Sequence, residues 1–386
     1  MTSRQHISLR SIYLISFLIA LHLGLPLYIN SSLLASVLGD QNVGLVFTAA
    51  SLAILLALGY FRHMLERLGN FLTLQWVMVA ELAALGTFLA TENPIAITLA
   101  MTAHMIAATF IMFCMDIFLE NTSVYRKTGV IRGKYLTAMS VGVLASPFIV
   151  GLLLTDSDYT KVYMLSIGIL AVVFIMFTSM YRNFDDPKYE KEDFMAAWHA
   201  IKEHRNMLRI CYTNFLLYLF YAIMVVYTPI YLSKYIGFSW SSIGEIFTIM
   251  LLPFILFQIP LGWLADKKLG EKEMLIAGFA ITALMTGALT FISSTSALFW
   301  ALALFGTRVG ASIVEIMNET YFFKKTNDTN TPMLMFFRMT RPIGFMVGPT
   351  LASLTFIFLD FRYLFLVIAV IILTGIITTL SLKDTL

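Results

Sequence analysis

Charged residues are scarce in this sequence. Of its 386 residues only 13% are charged, and 59% are hydrophobic, whereas soluble domains carry about 25% charged residues. A soluble fold of this length has too little interior to hide so much apolar surface. The composition therefore excludes the soluble classes and predicts an all-α integral membrane protein.

Motifs that carry chemistry are also missing. Cys114 and Cys211 are the only cysteines, and both lie in apolar stretches, so neither a disulfide framework nor a metal-ligand spacing is indicated. The sequence has no Gly-rich phosphate loop and no nucleophile elbow. We therefore expect no metal, no cofactor, no enzyme activity and no direct coupling to ATP, so that uphill transport would draw on an ion gradient.

Hydrophobic runs long enough to cross a bilayer make up most of the chain. About 20 apolar residues span the hydrocarbon, and no small-residue cleavage site follows the first run, which we expect to be an uncleaved span. Twelve runs occur in two sets of six, at 11–30, 43–61, 71–91, 95–119, 135–154 and 162–181, and at 208–232, 242–264, 274–293, 297–320, 342–359 and 363–382. The prediction is an N-terminal six-helix bundle at 1–181, a cytoplasmic linker at 182–207 and a C-terminal six-helix bundle at 208–386.

Lysine and arginine lie almost entirely on one side of the predicted membrane. Twenty-two fall in the termini and alternate loops of one side, whereas the other side has only Lys161, Lys234 and Arg362. Basic residues accumulate in cytoplasmic loops, which predicts that both termini are cytoplasmic, in the plasma (inner) membrane. Because this topology explains the small positive net charge, no nucleic-acid partner is indicated.

An internal repeat relates the two sets of runs at an offset of 199 to 203 residues. Asp116 and Glu120 correspond to Glu315 and Glu319, and Pro26 corresponds to Pro229. The matching order along the chain predicts two six-span halves in parallel repeat. Such halves form transporters whose site lies between them.

The loop after the eighth run carries the clearest family motif. It reads Gly262-Trp263-Leu264-Ala265-Asp266-Lys267-Lys268-Leu269-Gly270-Glu271-Lys272, and it resembles a loop motif of the major facilitator superfamily (MFS). The resemblance covers essentially the whole chain. It implies the MFS fold, alternating access, a small-molecule substrate and a monomer.

A glycine and proline pattern occurs once in each half. Gly142 and Pro147 lie in the fifth run, and Gly344, Gly348 and Pro349 lie in the eleventh. The pattern resembles the family's antiporter motif. Small residues also let helices approach closely, so helix packing is the alternative interpretation.

Arg308 is the one basic residue inside a span. A charge there costs roughly 3 kcal/mol unless it is paired or hydrated, and Ser312, Glu315 and Glu319 follow on the same helical stripe. Arg308 could hold two helices together through a buried ion pair, or it could bind an anionic substrate group. The two carboxylates could carry a proton or close a gate.

Other polar residues complete the candidate sites. The proton-coupling candidates are Glu315, Asp116 and Glu81, and the substrate-binding candidates are Arg308, Asn214, Gln258, His22 and His104. The resemblance implies an ion-pair network that closes a cytoplasmic gate, at Glu66, Arg67, Glu120, Asp266, Lys267, Glu319, Arg338 and Arg341.

These observations favour a proton-coupled secondary transporter in the lipid bilayer. An efflux antiporter for small, fairly hydrophobic molecules is preferred because of the motif in the fifth and eleventh runs. The alternatives are an uptake symporter for a sugar or organic anion, which Arg308 favours, and a non-transporting receptor or lipid-handling protein.

The predicted topology can be tested with reporter insertions. A reporter fused after Leu386 and one inserted near Asp193 should both be cytoplasmic, whereas one near Asp158 should be external, because the basic loops stay inside. Accessibility of the reporters in intact cells measures this. Finding the Asp193 and Asp158 sites on the same side would contradict the twelve-span topology.

Overall fold

Helices form every long element of the described chain. The computed structural model describes residues 9–122, 128–154, 158–182, 184, 186, 202, 204–257, 260–261, 264, 270–325 and 331–383, with side chains for all of these except 9, 120–122, 128–133, 331–332 and 334–335. The chain divides into two compact units, residues 1–189 and 190–386, here called the N-terminal unit and the C-terminal unit.

The helices of the N-terminal unit are α1 (Leu9–Leu27), α2 (Asn30–Leu38), α3 (Asp40–Ala90), α4 (Pro94–Thr122), α5 (Thr128–Leu153) and α6 (Thr160–Tyr181). Those of the C-terminal unit are α7 (Arg205–Ile230), α8 (Trp240–Leu251), α9 (Pro253–Leu256), α10 (Gly270–Leu289), α11 (Ala297–Lys325), α12 (Thr331–Phe358) and α13 (Leu364–Leu380). A π-helical turn, Tyr231–Ile236, extends α7, and a short 3-10 helix, Phe361–Tyr363, precedes α13.

Within the described residues, ten helices are long and apolar enough to cross a membrane. One of them, α3, has 51 residues and covers both the second and the third predicted runs. The eighth run corresponds to the shorter apolar segment Trp240–Leu256. Most of the predicted linker at 182–207 lies outside the described residues.

Gly69 breaks α3 into two helical segments. Its φ of +74° is not helical, and a side chain there would collide with the carboxylate of Asp186. Asp186 Oδ1 accepts a hydrogen bond from the backbone N–H of Asn70 at 2.7 Å, which satisfies a free donor at the start of the second segment. The Asn70 side chain donates to the carbonyl of Cys114 at 3.0 Å and so ties this segment to α4.

Polar loop residues begin several of the other helices. Asn93 Oδ1 accepts from two backbone N–H groups at the start of α4, at 3.0 and 3.2 Å. Ser239 caps α8 in the same way. Asp158 accepts from Thr160 at the start of α6, and the hydrogen bonds from the Thr160 hydroxyl and backbone N–H lower the pKa of the exposed Asp158 carboxyl.

The same helix pairs pack together in both units. The contact of α1 with α5 corresponds to that of α7 with α12, and the contact of α3 with α4 corresponds to that of α10 with α11. Likewise α1 packs on α6 as α7 packs on α13. The repeat in the sequence is therefore also a repeat in helix packing.

Glycine brings α5 against α1, and α12 against α7. A Cβ atom on Gly142 would lie 2.7 Å from the carbonyl oxygen of Phe17, and one on Gly344 would lie 2.8 Å from the backbone nitrogen of Leu219. Ser146 is matched across the helix pair by Gly24, where a Cβ atom would overlap the Ser146 hydroxyl. Both copies of the glycine and proline pattern thus lie at close helix contacts inside their own unit.

Enlarging Gly142 should therefore destabilise the N-terminal unit. We expect Gly142→Ala to lower the free energy of unfolding by about 1–3 kcal/mol, because the added methyl group meets backbone atoms that cannot move aside. Thermal unfolding in detergent micelles measures the change. The matched control is Gly168→Ala on α6, where nothing lies within 4 Å and greater helix propensity should leave stability equal or higher. Equal melting temperatures for the two variants would contradict the packing role.

Candidate functional site

Arg308 lies buried on α11 against the aromatic side chains of α7. Its side chain is only 2% exposed. The guanidinium carbon is 5.0 Å from the ring centroid of Phe220 and 5.6 Å from that of Tyr221, which is within the range of cation–π attraction. Among the described residues, no carboxylate forms an ion pair with Arg308, and its Nη1 has no hydrogen-bond partner. A buried donor of this kind is expensive unless it is paired.

Tyr221 connects Arg308 to Glu315. Its hydroxyl donates to Glu315 Oε2 at 3.0 Å, while its ring lies under the Arg308 guanidinium. The Ser312 hydroxyl, which lies between Arg308 and Glu315 on the same stripe of α11, donates instead to the carbonyl of Val309 at 2.9 Å. Arg308, Phe220, Tyr221 and Glu315 are together called the Arg308 cluster.

Neighbouring polar residues hold α7 in place. The Asn214 amide donates to the Thr340 hydroxyl at 2.8 Å on α12, and the Thr213 hydroxyl donates to Asn318 Oδ1 at 2.7 Å on α11. Asn214, predicted to contact substrate, is 4% exposed and uses its amide in this helix contact. These bonds fix the face of α7 that carries Phe220 and Tyr221.

A second polar cluster lies inside the N-terminal unit. Glu81 on α3 is fully buried, and its Oε1 is 2.7 Å from Nδ1 of His104 on α4 and 3.3 Å from Nε2 of His22 on α1. On its other side, the His22 ring contacts Ser166 of α6. His22, Glu81 and His104 are called the His–Glu–His triad. Sequence reasoning named all three residues, but it did not bring them together.

Comparison with known families identifies the fold. The family model described as Major Facilitator Superfamily matches residues 12–244 and 210–385. The chain belongs to the major facilitator superfamily. Membership in this family, with the many apolar helices, makes it an integral multi-pass membrane transporter.

Solved MFS transporters share the fold along nearly the whole chain. The nucleoside transporter NupG is 13% identical, with 97% of this chain and 99% of that chain covered and a TM-score of 0.76. The POT family transporter PepTSo is 11% identical, with 96% of each chain covered and a TM-score of 0.78. A bacterial homologue of the iron transporter ferroportin, in its inward-facing state, is 12% identical, with 97% and 98% covered and a TM-score of 0.77. No curated protein sequence matches the chain, and at these identities the structures show the fold alone.

The remaining predicted site residues of this MFS transporter are dispersed. Asp116 is half-buried on α4, and Arg338 is half-buried on α12. Glu66 pairs with Arg62 one turn earlier on α3. Exposed side chains are found at Arg67, Glu319 and Arg341, the last 6.0 Å from the Tyr218 ring centroid. Gln258, Asp266, Lys267 and the side chain of Glu120 lie outside the described residues.

One further ion pair was not predicted from the sequence. Glu271, on α10, is fully buried and pairs with Lys324 at the end of α11. Its position within the loop motif was the sequence feature that could have pointed to this role. Across the described ranges, no group of three or more His, Cys, Asp or Glu side chains is arranged to hold a metal ion.

If Arg308 serves function at a cost in stability, an apolar substitution there should stabilise the protein. An unpaired buried cation costs stability, and aromatic contacts offset only part of that cost. We therefore expect Arg308→Met to raise the free energy of unfolding by about 1–2 kcal/mol while transport is lost. Thermal unfolding in detergent measures stability, and the exposed Arg341→Met is the matched control. A drop of several degrees in Arg308→Met alone would instead indicate a structural ion pair.

Proposed function

We propose that this MFS protein is a proton-coupled secondary transporter that works by alternating access, with the Arg308 cluster as its substrate and proton site. The observation that carries the proposal is the buried Arg308 guanidinium with a free Nη1 donor, joined through one tyrosine to a carboxylate. Intramembrane charges of this kind mark substrate pathways and proton relays.

Glu315 is suited to carry the proton. It is half-buried on α11, and the Tyr221 hydroxyl donates a hydrogen bond to it. No cation in the described part of the chain forms an ion pair with it. A carboxylate that is not fixed by a direct ion pair can be neutralised by a proton without breaking the surrounding structure.

Arg308 is suited to bind the substrate. Its guanidinium can form charge-assisted hydrogen bonds with a carboxylate or similar group, and the rings of Phe220 and Tyr221 lie beside it as flat apolar neighbours. These contacts fit a small organic anion. Among the solved relatives, NupG is a nucleoside transporter, a second is a bacterial homologue of human drug peptide transporters, and a third is a bacterial homologue of the iron transporter ferroportin. The fold by itself therefore does not select a substrate.

The cluster favours symport over antiport. An anion bound at Arg308 would be repelled by ionised Glu315, which lies one tyrosine away. Protonation of Glu315 removes that repulsion, so the proton and the anion favour each other's binding, as linkage requires. This reasoning reverses the direction that the sequence favoured.

Efflux antiport of small hydrophobic molecules is the second candidate. It is supported by the glycine and proline pattern of α5 and α12, which resembles the antiporter motif of the family. The close contacts of Gly142 and Gly344 also explain that pattern by helix packing. Antiport therefore has weaker support than symport.

Proton flux in proteoliposomes separates these candidates. Purified protein is reconstituted with the pH dye pyranine in the lumen, and a panel of monocarboxylates, dicarboxylates, sugar acids, nucleosides, dipeptides and ethidium is added outside. Symport acidifies the lumen when a transported anion is added, whereas antiport makes the lumen alkaline. Absence of any substrate-dependent proton movement across the panel would contradict proton coupling.

The roles of Glu315 and Arg308 predict different transport defects. For the anion that acidifies the lumen, Glu315→Gln should abolish accumulation driven by a pH gradient but retain counterflow exchange, because the variant binds substrate in a permanently neutral site. Arg308→Ala should abolish both activities, since the anchoring cation is lost. Accumulation and counterflow of the labelled anion measure the two activities.

The control for this pair is Glu92→Gln, which removes an exposed carboxylate from the loop before α4 and should leave both activities unchanged. If Glu315→Gln accumulates substrate normally under a pH gradient, Glu315 does not carry the coupling proton.

A further inference from the structure

The His–Glu–His triad has an incomplete hydrogen-bond arrangement. Glu81 Oε1 is 2.7 Å from His104 Nδ1. His22 Nε2 is within ion-pair distance of Glu81 Oε1, at 3.3 Å, but it has no hydrogen-bond partner, and neither has Glu81 Oε2. The residue exposures are 0% for His22 and Glu81 and 5% for His104. Polar atoms buried this deeply are expensive unless they are paired.

Ser166 determines which nitrogen of His22 carries a proton. The Nδ1 atom is 3.0 Å from the backbone carbonyl oxygen of Ser166, which can only accept. The Ser166 hydroxyl lies 2.7 Å from the same Nδ1 and donates to the His22 carbonyl. His22 Nδ1 is therefore the donor, and in a neutral ring Nε2 is left with a lone pair that faces Glu81.

Counting the protons on the three side chains then gives the net charge of the triad. With Glu81 ionised and both histidines neutral, His104 can donate to Oε1, but two acceptors face each other between His22 Nε2 and Glu81. One added proton resolves this conflict, whether it resides on His22 as imidazolium or on Glu81 as the acid. The net charge of the triad changes from −1 to 0, which is the state that an apolar interior favours.

No other charged side chain in the described ranges pairs with the triad and competes for this proton. Among the described residues packed around the triad, the titratable groups are His22 from α1, Glu81 from α3, His104 from α4 and Tyr163 from α6. Tyr163 donates its hydroxyl hydrogen to Asn30 Oδ1 on α2 at 2.8 Å. No lysine, arginine or aspartate forms an ion pair with the triad in this part of the chain.

We propose that the triad is a proton-binding site of the N-terminal unit, which holds one exchangeable proton between Glu81 and His22. The site goes beyond the Arg308 cluster, because it lies in the other unit and uses none of the same residues. Glu81 and His22 are fully buried and His104 is 5% exposed, so a proton held between Glu81 and His22 has no direct contact with water until α1, α3, α4 or α6 move apart. Proton release is thereby linked to a movement of these helices.

Glu81→Gln is the variant that isolates this proton. The amide oxygen of glutamine can accept from His104 Nδ1, and a rotation of the amide that turns its NH₂ group toward His22 Nε2 supplies the missing donor without an added proton. We expect a melting temperature close to that of the wild type. Glu92→Gln serves as the control for the loss of a carboxylate.

Nitrogen-15 NMR of the full chain in nanodiscs, with labelled histidine, counts the protons on each ring. The six histidines allow His22 to be assigned by the signal that disappears in His22→Gln. Between about pH 5 and 9, where histidine charge changes in proteins, the wild type should lose one proton from His22 Nε2, or an infrared band of protonated Glu81 should disappear. Glu81→Gln should show His22 neutral, with its proton on Nδ1, throughout.

Two results would overturn the proposal. The first is a wild-type His22 that stays singly protonated on Nδ1 across this range while no infrared band of a protonated carboxyl is lost in Glu81→Gln. The second is broadening of the His22 and His104 signals by stoichiometric Mn²⁺ added to chelator-treated protein, which would make the triad a metal site instead. The pH titration and the Mn²⁺ broadening are both recorded on the wild-type protein, and the variants serve to assign the signals to His22 and Glu81.

Discussion

Polar groups inside a bilayer must find their partners within the protein, because the hydrocarbon offers none. The two polar clusters of this MFS transporter satisfy this constraint differently. In the N-terminal unit, Glu81 Oε1 lies between the ring nitrogens of two histidines. In the C-terminal unit, Arg308 has aromatic faces and a free donor. The first cluster pairs charged and polar side chains with one another, whereas the second surrounds its charge with rings.

Close helix packing positions both clusters. The first helix of each unit packs closely against a second helix of that unit. Gly24 of α1 lies against Ser146 of α5, and Leu219 of α7 lies against Gly344 of α12. The same helix presents its functional side chain to other neighbours, His22 to α3 and α6, and Tyr221 to α11. Because the glycine contacts fix backbone against backbone, these side chains are held to within a small range of positions. The repeat thus supplies one scaffold that carries two different chemistries.

Hydropathy and the internal repeat were sufficient to predict the fold class. Apolar runs are local in the sequence, and the repeat matches the two halves at a nearly constant offset. The helix break between the second and third runs was less predictable. Residues up to Leu68 remain helical, and a single glycine with positive φ, Gly69, makes the break. Hydropathy had assigned a loop of several residues at this point.

The candidate sites were predictable one residue at a time, since a charge or histidine inside a span is visible in the sequence. Their partners were not, because they depend on which helices meet. Glu81 is 23 positions from His104, and Tyr221 is 94 positions from Glu315. Tyr221 gave no signal beyond a hydroxyl on an apolar helix, and yet it joins the two charges of α11.

The difference between the clusters also restricts what each can bind. The gap between His22 Nε2 and Glu81 Oε1 is 3.3 Å, which is close to an ordinary hydrogen-bond separation, so a proton fits between these atoms and an organic molecule does not. Arg308 has no such opposing acceptor among the described residues, and its guanidinium is bordered by rings that favour a flat or apolar ligand. Under the proposed function, substrate selection belongs to the C-terminal unit. The His–Glu–His triad would respond to protons whatever molecule Arg308 selects.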